Sequence, residues 1–127
     1  MAFCLFAFQA CDPIDYKLKV KNETRFPFYV IHSFAPHIGL VDSTVAEPYN
    51  GEAIQPHDTY TIMGNYVTWE TEIGNTSADK RLRLFICHRD TVFKHSWKTI
   101  IDELKFYKVY TLSVADLQKM NWVVTVK

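Results

Sequence analysis

The chain has 127 residues, a length that suits a single domain. Fourteen basic side chains balance fourteen acidic ones, which argues against a protein that holds polyphosphate or nucleic acid on a cationic surface. Hydrophobic residues make up 48% of the sequence, so the chain can build a core and is not of the disordered class, and four glycines exclude collagen-like and phosphate-loop architectures.

The first ten residues predict export. Residues 1–10 carry no charge and include three phenylalanines, yet a ten-residue helix rises only about 15 Å, too little to cross a bilayer. The segment has the length of the apolar region of a signal peptide, and it ends at a small residue, Ala10, directly before Cys11. This is the arrangement of a bacterial lipoprotein processing site. We predict that residues 1–10 are removed, that Cys11 is lipidated and that residues 11–15 form a tether. The alternative is an apolar strand paired into the sheet, which Pro13 would interrupt.

From residue 16 onward the pattern is mostly that of β-strands. Residues 16–22 alternate, with apolar side chains on one face and three lysines on the other, which predicts a half-buried strand. Residues 27–34 are rich in aromatic and β-branched side chains and predict a second strand, paired with the first as an antiparallel hairpin. Further strands are predicted at residues 59–63, 67–69, 81–88, 107–114 and 121–126, with an exposed turn over residues 74–80.

A long connection separates the second strand from the third. Residues 35–56 contain three prolines and two glycines, which predicts an irregular loop with a short strand over residues 38–41. Loops of this length in small domains often carry function. If this loop binds a ligand, we expect His37, Tyr49 and His57 at its mouth.

One segment has helical periodicity. Trp97, Ile100, Ile101 and Leu104 follow Ser96 at helical spacing, which predicts an amphipathic helix near residues 96–106 with Ser96 as its N-cap. A second capped turn is predicted after Ser113, over residues 117–120. The predicted fold is mainly β: a single-domain antiparallel β-sandwich or open barrel over residues 16–127, with about seven strands and one amphipathic helix.

The C-terminal part of the chain resembles a known group of proteins. Residues 110–124 read Y-T-L-S-V-A-D-L-Q-K-M-N-W-V-V, which is similar to the ending of small uncharacterised Bacteroidetes lipoproteins, a strand, a D-L-Q-x-x-N-W turn and a final strand. The resemblance extends loosely to the aromatic hairpin after Cys11 and to the amphipathic helix. It implies a β-domain anchored in the bacterial cell envelope, at the periplasmic or outer-membrane surface, with Cys11 as lipid acceptor. It implies no activity, cofactor or further site residue.

No constellation of residues predicts catalysis. The serines have no G-x-S-x-G setting, and Cys87 and His88 are adjacent on a predicted strand, so their side chains point to opposite faces and cannot pair. No C-x-x-C motif is present, and Cys87 is predicted to be a small buried hydrophobe. Zinc or copper binding by His32, His37 and His57 is an alternative, as is a small hydrolase. We predict a protein that is not an enzyme and has no cofactor or metal.

Several aromatic residues exceed what one face of a small sheet needs. We expect most of them to lie in the core or to cover the ends of the sheet, and the alternative is that rings on loops stack on sugar rings or grip a peptide. They are Phe26, Phe28, Tyr29, Tyr49, Tyr60, Tyr66 and Trp69. The lysine face of the first strand lacks such aromatics, so no nucleic-acid partner is predicted. N-glycosylation patterns begin at Asn22 and Asn75 on predicted turns, and in a bacterial envelope protein we expect both to be silent.

The sequence therefore predicts a lipid-anchored, non-enzymatic interaction or accessory module of the cell envelope. Its partners are the membrane, through the anchor, and a glycan or a protein. The main alternative is a small glycan- or peptide-binding module that uses the 35–56 loop.

Overall fold

The computed structural model describes residues 14–36 and 52–127, which form six strands and four short helices. The strands are β1 (Lys19–Asn22), β2 (Phe28–Ser33), β3 (Thr59–Thr61), β4 (Arg81–His88), β5 (Lys108–Ser113) and β6 (Val123–Val126). The helices are α1 (Trp69–Thr76), α2 (Arg89–Lys94), α3 (Trp97–Asp102) and α4 (Val114–Lys119). Within these ranges no helix has the length and apolar character needed to span a bilayer. The predicted leader, Cys11 and the predicted strand at residues 38–41 lie outside the described residues.

The strands form two three-stranded sheets. One has the order β3-β1-β6, with β1 antiparallel to β3 and parallel to β6, and the other is fully antiparallel with the order β2-β4-β5. The predicted β1–β2 hairpin is therefore wrong, because the two strands belong to different sheets. The mostly-β class is confirmed, and the structure is not a closed barrel. The described residues hold six strands where about seven were predicted.

Two hydrophobic clusters lie on the two sides of β4. The first fills the space between the sheets and includes Leu18 and Val20 on one side and Leu82, Leu84 and Ile86 on the other, all fully buried. The second lies behind β4, where α2 and α3 cover the sheet. Its buried members are Tyr29, Ile31, Phe85, Cys87, Val92 and Ile100. Because both faces of β4 are covered, residues 84–87 form a continuous apolar run rather than an alternating one.

The segment between β3 and β4 departs from prediction. Residues 67–69 were expected as a strand, but Thr68 caps α1 by accepting a hydrogen bond from the backbone of Thr71, and Trp69 is buried in the first cluster. The predicted exposed turn over residues 74–80 is partly helix. Ser77 at its centre is buried and accepts a hydrogen bond from the backbone N–H of Arg81 at 3.0 Å. The helical spacing of α1 was not recognisable in the sequence because the helix has only two buried residues, Trp69 and Ile73.

The predicted helix at residues 96–106 begins where expected and ends early. Ser96 accepts a hydrogen bond from the backbone N–H of Thr99, which confirms the N-cap, but α3 stops at Asp102. Leu104 has a φ of 53°, and the backbone N–H of Lys105 donates to the carbonyl of Ile100 at 2.9 Å. This is a Schellman termination, which places Leu104 outside the helix with its side chain exposed.

The D-L-Q-x-x-N-W segment is a helix with a cap at each end. Ser113 and Asp116 form a capping box at the start of α4, which confirms the predicted capped turn. At the other end Asn121 has a φ of 53°, and the backbone N–H of Trp122 donates to the carbonyl of Leu117 at 2.8 Å. Leu117 and Trp122 both pack on the first cluster. Asp116, Leu117, Asn121 and Trp122 therefore each have a folding role.

Asn22 joins the two sheets at the end of β1. Its side-chain amide donates to the carbonyls of Phe26 and Ile54, both at 2.9 Å, and its side-chain oxygen accepts from the backbone and hydroxyl of Thr24. Ile54 in turn pairs with Phe28 of β2 as an isolated bridge. Asn22 is fully buried with both amide protons donated, so the folded chain cannot carry a glycan there.

The two-sheet body has two ends. They are named here the Asp15 end, after a residue that precedes β1, and the Asn22 end, after the last residue of β1. At the Asp15 end, Asp15 accepts a hydrogen bond from the backbone N–H of Trp69 at 3.1 Å. At the Asn22 end lie the turn after β1 and the C-terminal Lys127, which follows the last residue of β6. The length of β1, roughly 13 Å for four residues, lies between the two ends.

Candidate functional site

Of the site residues predicted from the sequence, the structure describes only His57. Cys11, His37 and Tyr49 lie outside the described residues. His57 is at the Asn22 end, where its backbone N–H donates to the carbonyl of Asn22 at 2.7 Å. Its side chain is 82% exposed, with Nδ1 3.8 Å from a carboxylate oxygen of Glu23. His57 therefore has a clear structural role through its backbone, while its imidazole faces solvent.

His32 occupies the opposite end of the molecule from His57. Its ring meets the ring of Trp69 edge-on at 5.6 Å and that of Phe34 at 6.1 Å. The two histidines of the metal hypothesis that the structure describes are thus separated by the sandwich. Across residues 14–36 and 52–127, no group of three or more potential metal-ligating side chains is found.

In the part of the chain that the structure describes, an open groove lies at the Asn22 end. It has a volume of about 340 Å³, within the lower range of small-ligand sites. Its lining residues are His88, Thr91, His95, Lys105, Phe106 and Tyr107. They come from the end of β4, from both ends of α2 and from the segment between α3 and β5.

Helix α2 places the two histidines of the groove. His88 is the N-cap residue, and its Nδ1 accepts a hydrogen bond from the backbone N–H of Asp90 at 3.0 Å. An accepting Nδ1 means that the proton of the neutral ring is on Nε2. His95 is the C-cap residue and uses only its backbone for this purpose, donating to the carbonyl of Thr91 at 3.1 Å. The imidazole of His95 is exposed and has no capping role.

Aromatic packing fixes the far wall of the groove. The ring of Phe26 stacks on His88 with centroids 4.1 Å apart and meets Tyr107 edge-on at 4.8 Å. Tyr107 is held at both ends, because its backbone N–H donates to the carbonyl of Ile86 and its hydroxyl to the carbonyl of Lys127. The wall is therefore ordered without any ligand.

The groove presents mainly hydrogen-bond donors beside an aromatic surface. Lys105 contributes an ammonium group that lies 3.2 Å from the carboxylate of Glu103, and His88 lines the groove with a neutral ring that carries its proton on Nε2. Phe106 supplies an apolar surface and is itself supported by Phe85, with centroids 5.0 Å apart. This combination suits a ligand that carries carboxylate or hydroxyl groups next to an apolar face.

The only described cysteine is unsuited to nucleophilic chemistry at this groove. Cys87 is fully buried in the second cluster, and this burial raises the pKa of its thiol to about 12. His88, its neighbour in sequence, stacks on Phe26 instead. The prediction that Cys87 is a small buried hydrophobe is confirmed.

We expect Cys87 to resist alkylation by iodoacetamide at pH 8 in the folded protein and to react promptly once the protein is unfolded in guanidinium, because only the thiolate is nucleophilic. Peptide mass mapping after brief labelling distinguishes Cys87 from Cys4 and Cys11. Rapid modification of Cys87 in the native protein would contradict the burial described here.

The aromatic residues proposed as surface binders differ in exposure. Tyr49 lies outside the described residues, and Phe26 packs on His88 and Tyr107. Phe28, Tyr29 and Trp69 are buried in the two clusters and are structural. Tyr60 and Tyr66 are exposed, as predicted for ligand-binding rings, but neither lines the groove. Sequence reasoning missed His88 and His95 as a pair. A short helix predicted over residues 89–94 would have revealed the pair, because His88 and His95 are the residues that flank it on either side.

The environment of His32 gives a prediction of pH dependence. Partial burial against the aromatic rings lowers the pKa of His32, and the carboxylate of Glu72 offsets part of this effect. The unfolded chain therefore binds a proton at this site more readily than the folded chain, so stability is lost as pH falls below about 6.5. We expect His32→Gln to reduce this loss between pH 7 and pH 5, as measured by urea unfolding at each pH.

The matched control for this experiment is His57→Gln, which changes an exposed imidazole. The comparison shows whether the effect is specific to the packed ring of His32. If the stability of His32→Gln changes with pH as that of the wild type does, the surroundings of His32 do not contribute to the pH dependence of stability.

No protein-family model matches the chain, and the comparisons with curated proteins and with solved structures also give no match. The inference of function therefore depends on the residues and their geometry.

Proposed function

We propose that the protein is a lipid-anchored module of the bacterial cell envelope, attached through Cys11, that binds a ligand in the groove at the Asn22 end. The observation that carries the proposal is the relative position of the two ends. The tether joins the described body at the Asp15 end, and the groove lined by His88 and Tyr107 lies at the other. An anchored body with this geometry presents its groove away from the membrane.

The proposed ligand is a glycan or a peptide that carries acidic or hydroxyl groups. The donors on Lys105 and His88 suit carboxylate and hydroxyl oxygens, and the face of Phe106 suits a sugar ring or an apolar side chain. A non-enzymatic role fits the buried state of Cys87 and the commitment of His88 Nδ1 to capping α2. The ligand would be bound without being transformed.

Binding to glycan and peptide arrays tests the groove. We expect His95→Ala and Lys105→Ala each to weaken the captured ligand about tenfold, the loss of one hydrogen bond to a charged or polar group. Both side chains have little role in the fold, so the variants should remain folded. His57→Ala, an exposed histidine at the same end, is the matched control and should bind as the wild type does.

The same arrays distinguish the groove from the 35–56 loop. Binding lost in Tyr49→Ala and kept in His95→Ala would assign the ligand to the loop instead. Arrays that show no binding by the wild type would contradict the ligand-binding part of the proposal.

Incorporation of labelled palmitate tests the anchor. We expect label to enter the full-length protein when it is expressed in bacteria that mature lipoproteins, and to be lost in Cys11→Ala. Cys87→Ala is the control and should keep the label, because Cys87 is buried in the folded body. Label that persists in Cys11→Ala would contradict attachment at this residue.

A further inference from the structure

Large apolar side chains are exposed beside the point where the tether joins the body. Tyr16 directly follows Asp15 and is 47% exposed. Residues 63–68, here named the 63–68 loop, present three more: Met63 at 62%, Tyr66 at 77% and Val67 at 44% exposed. The three occur within five consecutive residues, whereas exposed apolar residues on a soluble surface are usually scattered singly.

The 63–68 loop is held in place by polar contacts rather than by burial of these side chains. The backbone N–H of Gly64 donates to the carbonyl of Asp15 at 3.2 Å, and the amide of Asn65 donates to Glu72 at 2.6 Å. A Cβ on Gly64 would lie 3.3 Å from the Asp15 carbonyl and from Trp69 Nε1, so glycine allows this close approach. The loop is thus built to keep its apolar side chains outward, next to Asp15.

Three carboxylates lie near the loop: Lys17 pairs with two of them, and Glu72 accepts a hydrogen bond from Asn65. Lys17 lies 3.0 Å from the carboxylate of Asp15 and also forms an ion pair with Glu70. Burial tends to raise the pKa of Asp15, but hydrogen bonds from Trp69 and Lys17 outweigh it and keep the carboxylate ionised. Pairing with Lys17 lowers the cost of bringing Asp15 and Glu70 close to a zwitterionic surface.

We propose that the 63–68 loop and Tyr16 rest on the surface of the bilayer that holds the lipid anchor. This inference depends on the proposed function, because it uses the distance from Cys11 to Asp15. Four residues span at most about 14 Å, so an anchored Cys11 keeps the Asp15 end within reach of the lipid headgroups. Tyrosine rings favour this interface, with the apolar ring in contact with lipid and the hydroxyl in water. The contact would hold the groove pointing outward.

Fluorescence quenching by lipid tests the contact. The full-length protein, purified from bacterial membranes, is reconstituted in phosphatidylcholine vesicles that contain a brominated phosphatidylcholine. Tyr66→Trp places a reporter in the loop, and Phe93→Trp is the matched control, an exposed aromatic on α2, the helix that His88 caps at the Asn22 end. The wild type gives the background of Trp69, Trp97 and Trp122. We expect the added emission of Tyr66→Trp to be strongly quenched and that of Phe93→Trp to be unaffected.

Flotation of the vesicles separates the two proposals. If the protein floats with the vesicles and the Tyr66→Trp emission is not quenched, the bilayer contact is wrong and the anchor stands. If the protein does not float, the anchor and the contact both fail. Two other occupants of the surface would also overturn the contact: a second copy, seen as a concentration-dependent dimer in detergent, or residues 1–10, seen as an uncleaved N-terminus cross-linked to the loop.

Discussion

Leu84→Ala is expected to lower the free energy of unfolding by about 4 kcal/mol, a typical cost for truncating a fully buried leucine. Leu84 is at the centre of β4, where it is 0% exposed and contributes to the cluster between the two sheets. Its strand neighbours are His32 on β2 and Tyr110 on β5, so the site is enclosed on both sides and cannot readily collapse into the cavity. Urea unfolding followed by circular dichroism measures the loss.

Leu104→Ala is the matched control for Leu84→Ala. Leu104 is 72% exposed at the end of α3, so its truncation removes little buried surface. We expect a change of less than about 0.5 kcal/mol, as for most surface substitutions. Equal losses for the two variants would contradict the placement of the core between the sheets.

Asn22→Ala is expected to cost about 3 kcal/mol, although it removes only a few atoms. The variant removes one of the two hydrogen bonds that the carbonyls of Phe26 and Ile54 each accept, and it leaves the backbone N–H of Thr24 without its acceptor. Each buried polar group that loses its partner costs about 1–3 kcal/mol. Because Asn22 joins the turn after β1 to the segment before β3, the loss affects contacts in both sheets. Thermal or urea unfolding reports it.

Asn75→Ala provides the comparison for Asn22→Ala, since Asn75 begins the other N-x-S/T pattern of the chain. Asn75 is exposed on the last turn of α1, where alanine has the higher helix propensity. We expect a change within about 0.5 kcal/mol or a small gain in stability. A loss similar to that of Asn22→Ala would show that the asparagine network is not the source of the effect.

Features set by neighbouring residues were predictable from the sequence. The bounds of β4 were predicted residue for residue, because five apolar residues, interrupted only by Arg83, lie between Arg81 and His88. The caps at Ser96 and Ser113 were predicted for the same reason, since an N-cap requires only a hydroxyl two or three residues before a backbone N–H. The D-L-Q-x-x-N-W segment follows this rule. Its sequence therefore indicates a local structure and says nothing about activity.

Features that depend on distant partners were not predictable. Nothing local to β1 shows that it pairs in parallel with β6 rather than with β2, because the choice depends on which surfaces the whole chain buries. The groove also depends on residues that are distant in sequence, because Phe26 contacts His88 and Tyr107 only after β2, β4 and β5 have assembled. The candidate residues chosen from the loop composition included His57, whose position near Glu23 is likewise a long-range result.

The most direct test of the anchored-module account is the intact mass of the protein isolated from the membranes of bacteria that express the full sequence. The account predicts a mature chain that begins at Cys11 and carries diacylglycerol in thioether linkage, with residues 1–10 absent. A chain that retains Met1 and carries no lipid would contradict the anchor and, with it, the orientation proposed for the groove.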